Sequence, residues 1–384
     1  MLTTEYVQGK MLAGTVKVMA KLAEFEGIVR ANHFMRTTPL PQWEQVAADF
    51  DACVRETVSK ILGTTFPGDS YLQACVSTKI GGLGIRRVMD HAGGFSASWH
   101  EAGLTSGEKW VAPMPACDTP HKPRAASAAL DRATLDVLIE RANRRDAQRL
   151  RRLDAPHANA WISALPSSVD GKDTVMAPRV YLTCVRRLLG LPVLSSPLPC
   201  PLCQQTMDIY GDHAICCRKS SDMITRHNRV RNLISHFADV GLLSPELEKM
   251  GILGPTDRSS RRPGDVSFKS WAPNRGLAID VAVICHVAAS HLNEEEPCES
   301  YAVLHKHARY DESFKDSDYD FAAMVFETSG AVNAEGLNVL KQIFRCASKR
   351  SKASHASFCG RAWARLSSCI QISVAQMILN RDCD

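Results

Sequence analysis

Between Pro41 and Gly63 the apolar residues Trp43, Val46, Phe50, Cys53, Val54, Val58, Ile61 and Leu62 recur at steps of three and four. That spacing predicts an amphipathic helix over residues 42–62. Residues 129–153 and 180–191 read the same way, the second stopped by Gly190 and Pro192. Gly81-Gly82-Leu83-Gly84-Ile85 is glycine punctuation, and with no strand predicted ahead of it a phosphate-cradling loop is not expected there. Pro113, Pro115, Pro120 and Pro123 make residues 107–128 a linker.

The pattern changes beyond residue 220. A helix is predicted over 222–240, with Ile224, Val230, Leu233, Ile234 and Phe237 on its apolar face and Arg226, Arg229 and Arg231 off it. An extended piece follows at 248–253, then strands at 266–268 and 277–284. The second of these, Leu277-Ala-Ile-Asp-Val-Ala-Val-Ile284, has the continuous apolar character of a buried strand. A helix over 299–314, a strand over 321–327 and helices over 333–350 and 357–378 complete an α/β order, a small sheet covered on both sides. The fold expected is an α-helical N-terminal half (helical to 106, linker 107–128, helical again over 129–196), a small knuckle at 197–220, and an α/β domain over 221–384.

Composition narrows the class. The chain has 384 residues, 45% of them apolar and 23% charged, which excludes wholesale disorder. No apolar run approaches the roughly 20 residues that span a bilayer, so no membrane partner is expected. Forty-six basic against 41 acidic residues leave a net charge of +5, which decides little until its distribution is considered.

Fourteen cysteines demand an account. Most are scattered singly among apolar neighbours, as buried thiols are. Cys200, Cys203, Cys216 and Cys217 instead crowd together around His213. Two thiolates on the tight Cys200-Pro-Leu-Cys203 turn can grip one side of a zinc ion while His213 and Cys217 close the tetrahedron of a structural site. Cys216 competes with Cys217 for the fourth place, and His227 is a further candidate. Asp212 could orient the imidazole. Thiol redox chemistry is the rival reading of the CxxC pair.

Asp280 stands in the middle of the most apolar strand, where a carboxylate costs free energy unless it is paired or holds a cation. A hairpin would bring Asp265, at the start of the preceding strand, to the same sheet edge, and Glu248 could join them. Such oxygen ligands suit magnesium or manganese. Lys306 could supply the cation that stabilises charge on a phosphoryl group. The plainer alternative makes Asp280 an ion-paired core residue and Asp265 a turn residue.

Two basic groups complete the candidates. Arg141, Arg145, Arg149 and Arg152 fall near one helical face and could lie along a phosphate backbone, or could be a solvated face. Lys341, Arg345 and Lys349, continuing through Arg350, Lys352, Arg361 and Arg365 without an intervening acid, are read as a nucleic-acid contact, with a plain solvated face or a nuclear-import signal as the alternatives.

Taken together, Cys200-Pro-Leu-Cys203, Gly211-Asp-His-Ala214, Arg226-His-Asn228, Arg262-Pro-Gly-Asp-Val266, Ile279-Asp-Val281 and Lys306 to Tyr310 resemble the C-terminal part of non-LTR retrotransposon polyproteins that carry a restriction-like endonuclease. Phe50-Asp-Ala-Cys-Val-Arg55, Ile61-Leu-Gly63 and Gly81-Gly-Leu-Gly-Ile-Arg86 look like the thumb and connector that follow the polymerase in that family. The resemblance implies a zinc knuckle and a nuclease domain of the PD-(D/E)XK fold. Asp265 would be the family's PD aspartate, Asp280 its second acid and Glu248 the acid ahead of them. Ala282 stands where the usual motif has lysine, and Lys306 matches the lysine that serves farther downstream in this branch. The expected cofactors are structural zinc and catalytic magnesium or manganese. The expected partners are DNA and RNA, and the expected site of action is the nucleus. No Tyr/Phe-x-Asp-Asp polymerase pattern occurs. The chain thus looks like a truncated element product that cleaves or merely binds nucleic acid.

Overall fold

A computed structural model of the chain describes residues 44–88, 90, 123–164, 174–253 and 262–382. Residues 1–43 of the expected helical region and 107–122 of the expected linker lie outside the described residues. The chain divides into two compact units, one of residues 1–150 with 176–193 and one of residues 151–175 with 194–384.

The first unit is helical. It contains α1 (Glu44–Leu62), α2 (Gly68–Cys75), α3 (Pro123–Arg141), most of α4 (Arg144–Arg152) and α5 (Pro178–Leu188). Two boundaries differ from expectation. Helix α3 begins at Pro123, where the fixed φ of proline suits a first helical position, so 123–128 are helix rather than linker. The single helix expected over 129–153 is broken after Arg141. There Asn143 caps α4: its Oδ1 accepts from the Asp146 N–H at 3.0 Å while its amide donates to the Asp146 carboxylate at 3.1 Å.

The glycine stretch is structural. The N–H groups of Gly82, Leu83, Gly84 and Ile85 donate to the carbonyls of Ser77, Ala74, Val76 and Ala74. A Cβ on Gly82 would stand 1.9 Å from the Val76 carbonyl oxygen, so only glycine lets the chain lie this close to α2. With those amides committed, no phosphate cradle remains.

The second unit is built on a four-stranded sheet in the order β3 (Glu246–Leu247), β4 (Val266–Ala272), β5 (Arg275–Ile284), β6 (Tyr319–Glu327). The first three strands run antiparallel and β6 lies parallel to β5. A parallel pair needs a crossover. It is supplied by α8 (Pro297–Tyr301), a π-helical segment (Ala302–His307) and α9 (Ala308–Phe314), which cover the sheet face bearing Ala278, Ala282, Ile284, Ala323 and Val325. The opposite face is backed by α7 (Asp222–Val240) and α10 (Ala334–Ser348), with α11 (His355–Leu379) packed on both helices through Phe237, Phe344 and Trp363. Strand β5 is buried almost throughout, as its unbroken apolar sequence requires.

The apolar face of α7 differs from its pattern at two places. Ile224 is exposed, and Arg226 is buried because its guanidinium reaches across to donate to the Val283 carbonyl at 2.9 Å. On the outer edge of β6, the Asn333 side chain accepts from the Val325 N–H and donates to the Ala323 carbonyl, and Glu335 accepts from the Ala323 N–H. These side chains satisfy groups that a neighbouring strand would otherwise take.

Candidate metal and nuclease sites

The cysteine cluster assembles on two short strands, β1 (Leu198–Pro199) and β2 (Thr206–Met207), and the short helix α6 (Asp212–Cys216). The Cys200 turn is closed by the Gln204 N–H on the Cys200 carbonyl. Gly211, at φ +74°, turns the chain into α6, and its missing Cβ leaves room for Ile378. The carboxylate that sets this turn is Asp208. It accepts from the backbone N–H groups of Tyr210, Asp212 and His213, and sequence reasoning did not single it out.

The result brings Cys200, Cys203, His213 and Cys217 together, their ligand atoms all within 4.8 Å of one another. Sulfur separations are 3.9 Å for Cys200 to Cys217 and 3.7 Å for Cys203 to Cys217. A tetrahedron of zinc–sulfur bonds would set about 3.8 Å between sulfurs, so the spacing fits a four-ligand zinc site. Burial opposes ionisation of the Cys200 thiol, but backbone donors at Leu202 and Cys203, with His213 beside it, bring it down to about 6, toward the thiolate a metal needs. Cys216 points elsewhere: its thiol meets Cys285, and that contact together with burial pushes its pKa up. Of the two candidates for the fourth ligand, only Cys217 is in the cluster. His227 is not in it either.

His227 belongs to the second constellation. Val266 pairs with Ile279 in the β4–β5 ladder, and the Asp265 N–H donates to the Ile279 carbonyl at 2.8 Å. Carrying that register one residue further sets Asp265 opposite Asp280, and directly opposed residues project from the same face. The two carboxyl groups act on each other, the Asp265 charge being one of the causes that raise Asp280. Asp265 also accepts from the Val281 N–H at 2.6 Å and from His227 Nε2 at 3.0 Å. Burial works against its ionisation, but His227 and the Val281 amide hold its pKa below the usual value.

Lys306 reaches Asp280 from the π-helical segment, Nζ to Oδ2 at 2.9 Å. Burial pushes Asp280 up to about 6; Lys306 opposes the shift and the Asp265 charge reinforces it. Ala282, two residues beyond Asp280, is packed beneath α8 and the π-helical segment, and the cation arrives from that helical layer instead. Tyr310 lies within the field of both aspartates, and burial followed by the Asp280 charge raises its pKa.

Glu248 does not join the pair. It follows the two-residue strand β3 with φ +46°, and its two carboxylate oxygens are taken by Arg231 and Arg262. The arginine stripe does not form as a surface either. Arg149 is buried on Gln73 and Asp146, and Arg152 is buried on Glu327. Arg145 pairs with Asp146, and Arg141 ends α3 exposed. By contrast Lys341, Arg345 and Lys349 are all exposed, one turn apart at the solvent side of α10.

Comparison with protein-family models finds no match, and comparison with curated proteins finds none. Among the described residues no helix is long and apolar enough to cross a membrane.

Proposed function

We propose that the second unit is a divalent-metal-dependent DNA endonuclease of the restriction-like type, stabilised by a zinc knuckle and derived from a non-LTR retrotransposon polyprotein that acts in the nucleus. The observation that carries this reading is the convergence of Asp265, Asp280 and Lys306 on one sheet face. Two opposed carboxyl groups, one held up to about 6 by burial and its neighbour's charge, form a donor set that a hard cation would relieve. Magnesium or manganese would there supply Lewis-acid polarisation of a phosphoryl oxygen. Asp265 and Asp280 provide the anionic oxygens, His227 fixes the orientation of Asp265, and Lys306 offers its ammonium to the charge that grows on the phosphoryl group. Lys341, Arg345 and Lys349 supply a cationic row for the phosphate backbone.

The test is plasmid nicking with magnesium by the full chain beside Asp280→Ala and Lys306→Ala. Loss of nicking by about a hundredfold or more in both variants is expected, in line with the removal of one transition-state charge partner. Equal nicking by all three proteins ends the reading.

A second reading, a zinc-stabilised nucleic-acid-binding remnant without cleavage, is favoured by one observation. Glu248, the third acid the family would use, is occupied by Arg231 and Arg262. Binding of DNA by the unaltered chain without nicking would establish it.

A further inference from the structure

Helix α7 serves the carboxylate pair with one flank only. At about 100° per residue, His227 and Arg231 lie on the side of Asp265 and Glu248, whereas Thr225, Arg229, Asn232 and His236 lie on the far flank, toward α11. On that far flank a cleft of about 510 Å³ opens between the two helices, with Arg229, Asn232, His236, Arg365 and Gln376 beside apolar residues in its walls and no acid among the described residues that line it. Arg229 and Gln376 also line a second hollow of about 270 Å³, so the two hollows adjoin at this hydrogen-bonded pair. The acid of the smaller hollow, Asp222, is engaged by Arg381, Ser220 and Asn380.

The groove is built, not merely lined. Arg229 is braced by Gln376 and Ser373, and the Arg365 guanidinium is stacked over the Phe237 ring, 5.1 Å from its centroid. Arg226 lines the smaller hollow and is 2% exposed. Its guanidinium meets the Val283 carbonyl and the Met377 sulfur, and its Nε has no hydrogen-bond partner. A buried cation whose hydrogen bonds reach no carboxylate is costly, and an oxyanion placed alongside would offset that cost.

We propose that this α7–α11 groove is a phosphate-ester site, in which Arg229 and Arg365 hold the oxyanion and Arg226 supplies positive field from beneath. The ligand is the phosphate of a nucleotide, either free or within a strand; the volume falls in the 300–1,000 Å³ range, approximately, of small-molecule sites. The site is distinct from the carboxylate pair and stands whether or not that pair cleaves.

Fluorescence anisotropy of a short labelled single-stranded DNA, with the full chain and no divalent ion, tests it. The R229Q/R365Q double variant is expected to bind about tenfold more weakly, with a shallower salt dependence, while K269Q/K315Q, which removes the same charge from the surface elsewhere, stays within about twofold. Asn232→Asp, an exposed change that puts a negative charge in the groove, gives the same loss should the double variant fold poorly. The measurement uses no divalent ion and reads binding rather than cleavage, so failure of the nuclease reading leaves this result intact. Competition by a deoxynucleoside monophosphate or by inorganic phosphate assigns the site to free phosphate species; competition by unlabelled strand alone assigns it to the backbone. Equal losses in R229Q/R365Q and K269Q/K315Q, or no loss in Asn232→Asp, overturns the proposal.

Discussion

Lys306 donates to Asp280 across 2.9 Å from a π-helical segment, which puts the cation and the more proton-loving carboxyl of the pair in direct contact. With Asp280 raised from 3.8 to about 6, the folded chain binds that proton more tightly than the unfolded chain. The stabilising contribution is therefore complete below 3.8 and is lost as the pH climbs through about 6. Asp280→Asn removes this dependence. Urea midpoints at the two ends of that window should fall with pH more steeply in the unaltered protein than in the variant. A divalent ion competes with the same proton, so magnesium affinity by calorimetry should drop about tenfold per pH unit on the acid side of that value. Unchanged affinity there would place the ion elsewhere.

Zinc binding separates the two adjacent cysteines. Elemental analysis is expected to find zinc in the purified chain, to find it lost in Cys217→Ser and kept in Cys216→Ser, because only Cys217 faces Cys203 and Cys200. Retention of zinc by Cys217→Ser would contradict the geometry. Chelation of the metal should lower the melting temperature, since a structural zinc site couples directly to folding.

Arg152 and Glu327 form a buried ion pair at 3.0 Å, reinforced by Ser329 on the glutamate and by Glu296 on the arginine. Removing one partner strands the other's charge. Arg152→Ala should cost about 3–5 kcal/mol in urea denaturation, and the double change to alanine should cost less than the sum of the two single changes. Additive costs would mean that the pair contributes nothing as a pair.

Gly82→Ala tests the close approach in the helical unit. The added methyl meets the Val76 carbonyl oxygen at 1.9 Å, where the neighbour is backbone and has little freedom to move. Overpacking of this kind should lower stability by about 1–3 kcal/mol, measured by thermal or urea denaturation. A neutral result would show that the turn gives way.

Much of this architecture is legible in the residue pattern. The helices and the three longer strands of the second unit lie within a few residues of their predicted limits because helical spacing and apolar runs report what each element buries, whereas the extended piece expected over 248–253 is not strand and the short strand there is Glu246–Leu247. The opposition of Asp265 and Asp280 is also readable, since a hairpin fixes its own register. Partners remote in sequence are not. Arg149 finds Gln73 across 76 residues and Arg152 finds Glu327 across 175, so both read as surface charge until the chain is folded. His227 lies near the cysteines in sequence, but its place on α7 carries it to Asp265. Glu248 is turned toward Arg231 and Arg262 by a left-handed backbone conformation that nothing in its type announces.

The treatment of β6 has a consequence for assembly. Its outer margin is already occupied by Asn333 and Glu335 acting as a surrogate strand. A second molecule approaching there finds no run of open amides and carbonyls to zip onto, and the far margin, β3, offers two residues. Copies of this chain are thereby denied the simplest route to runaway polymerisation.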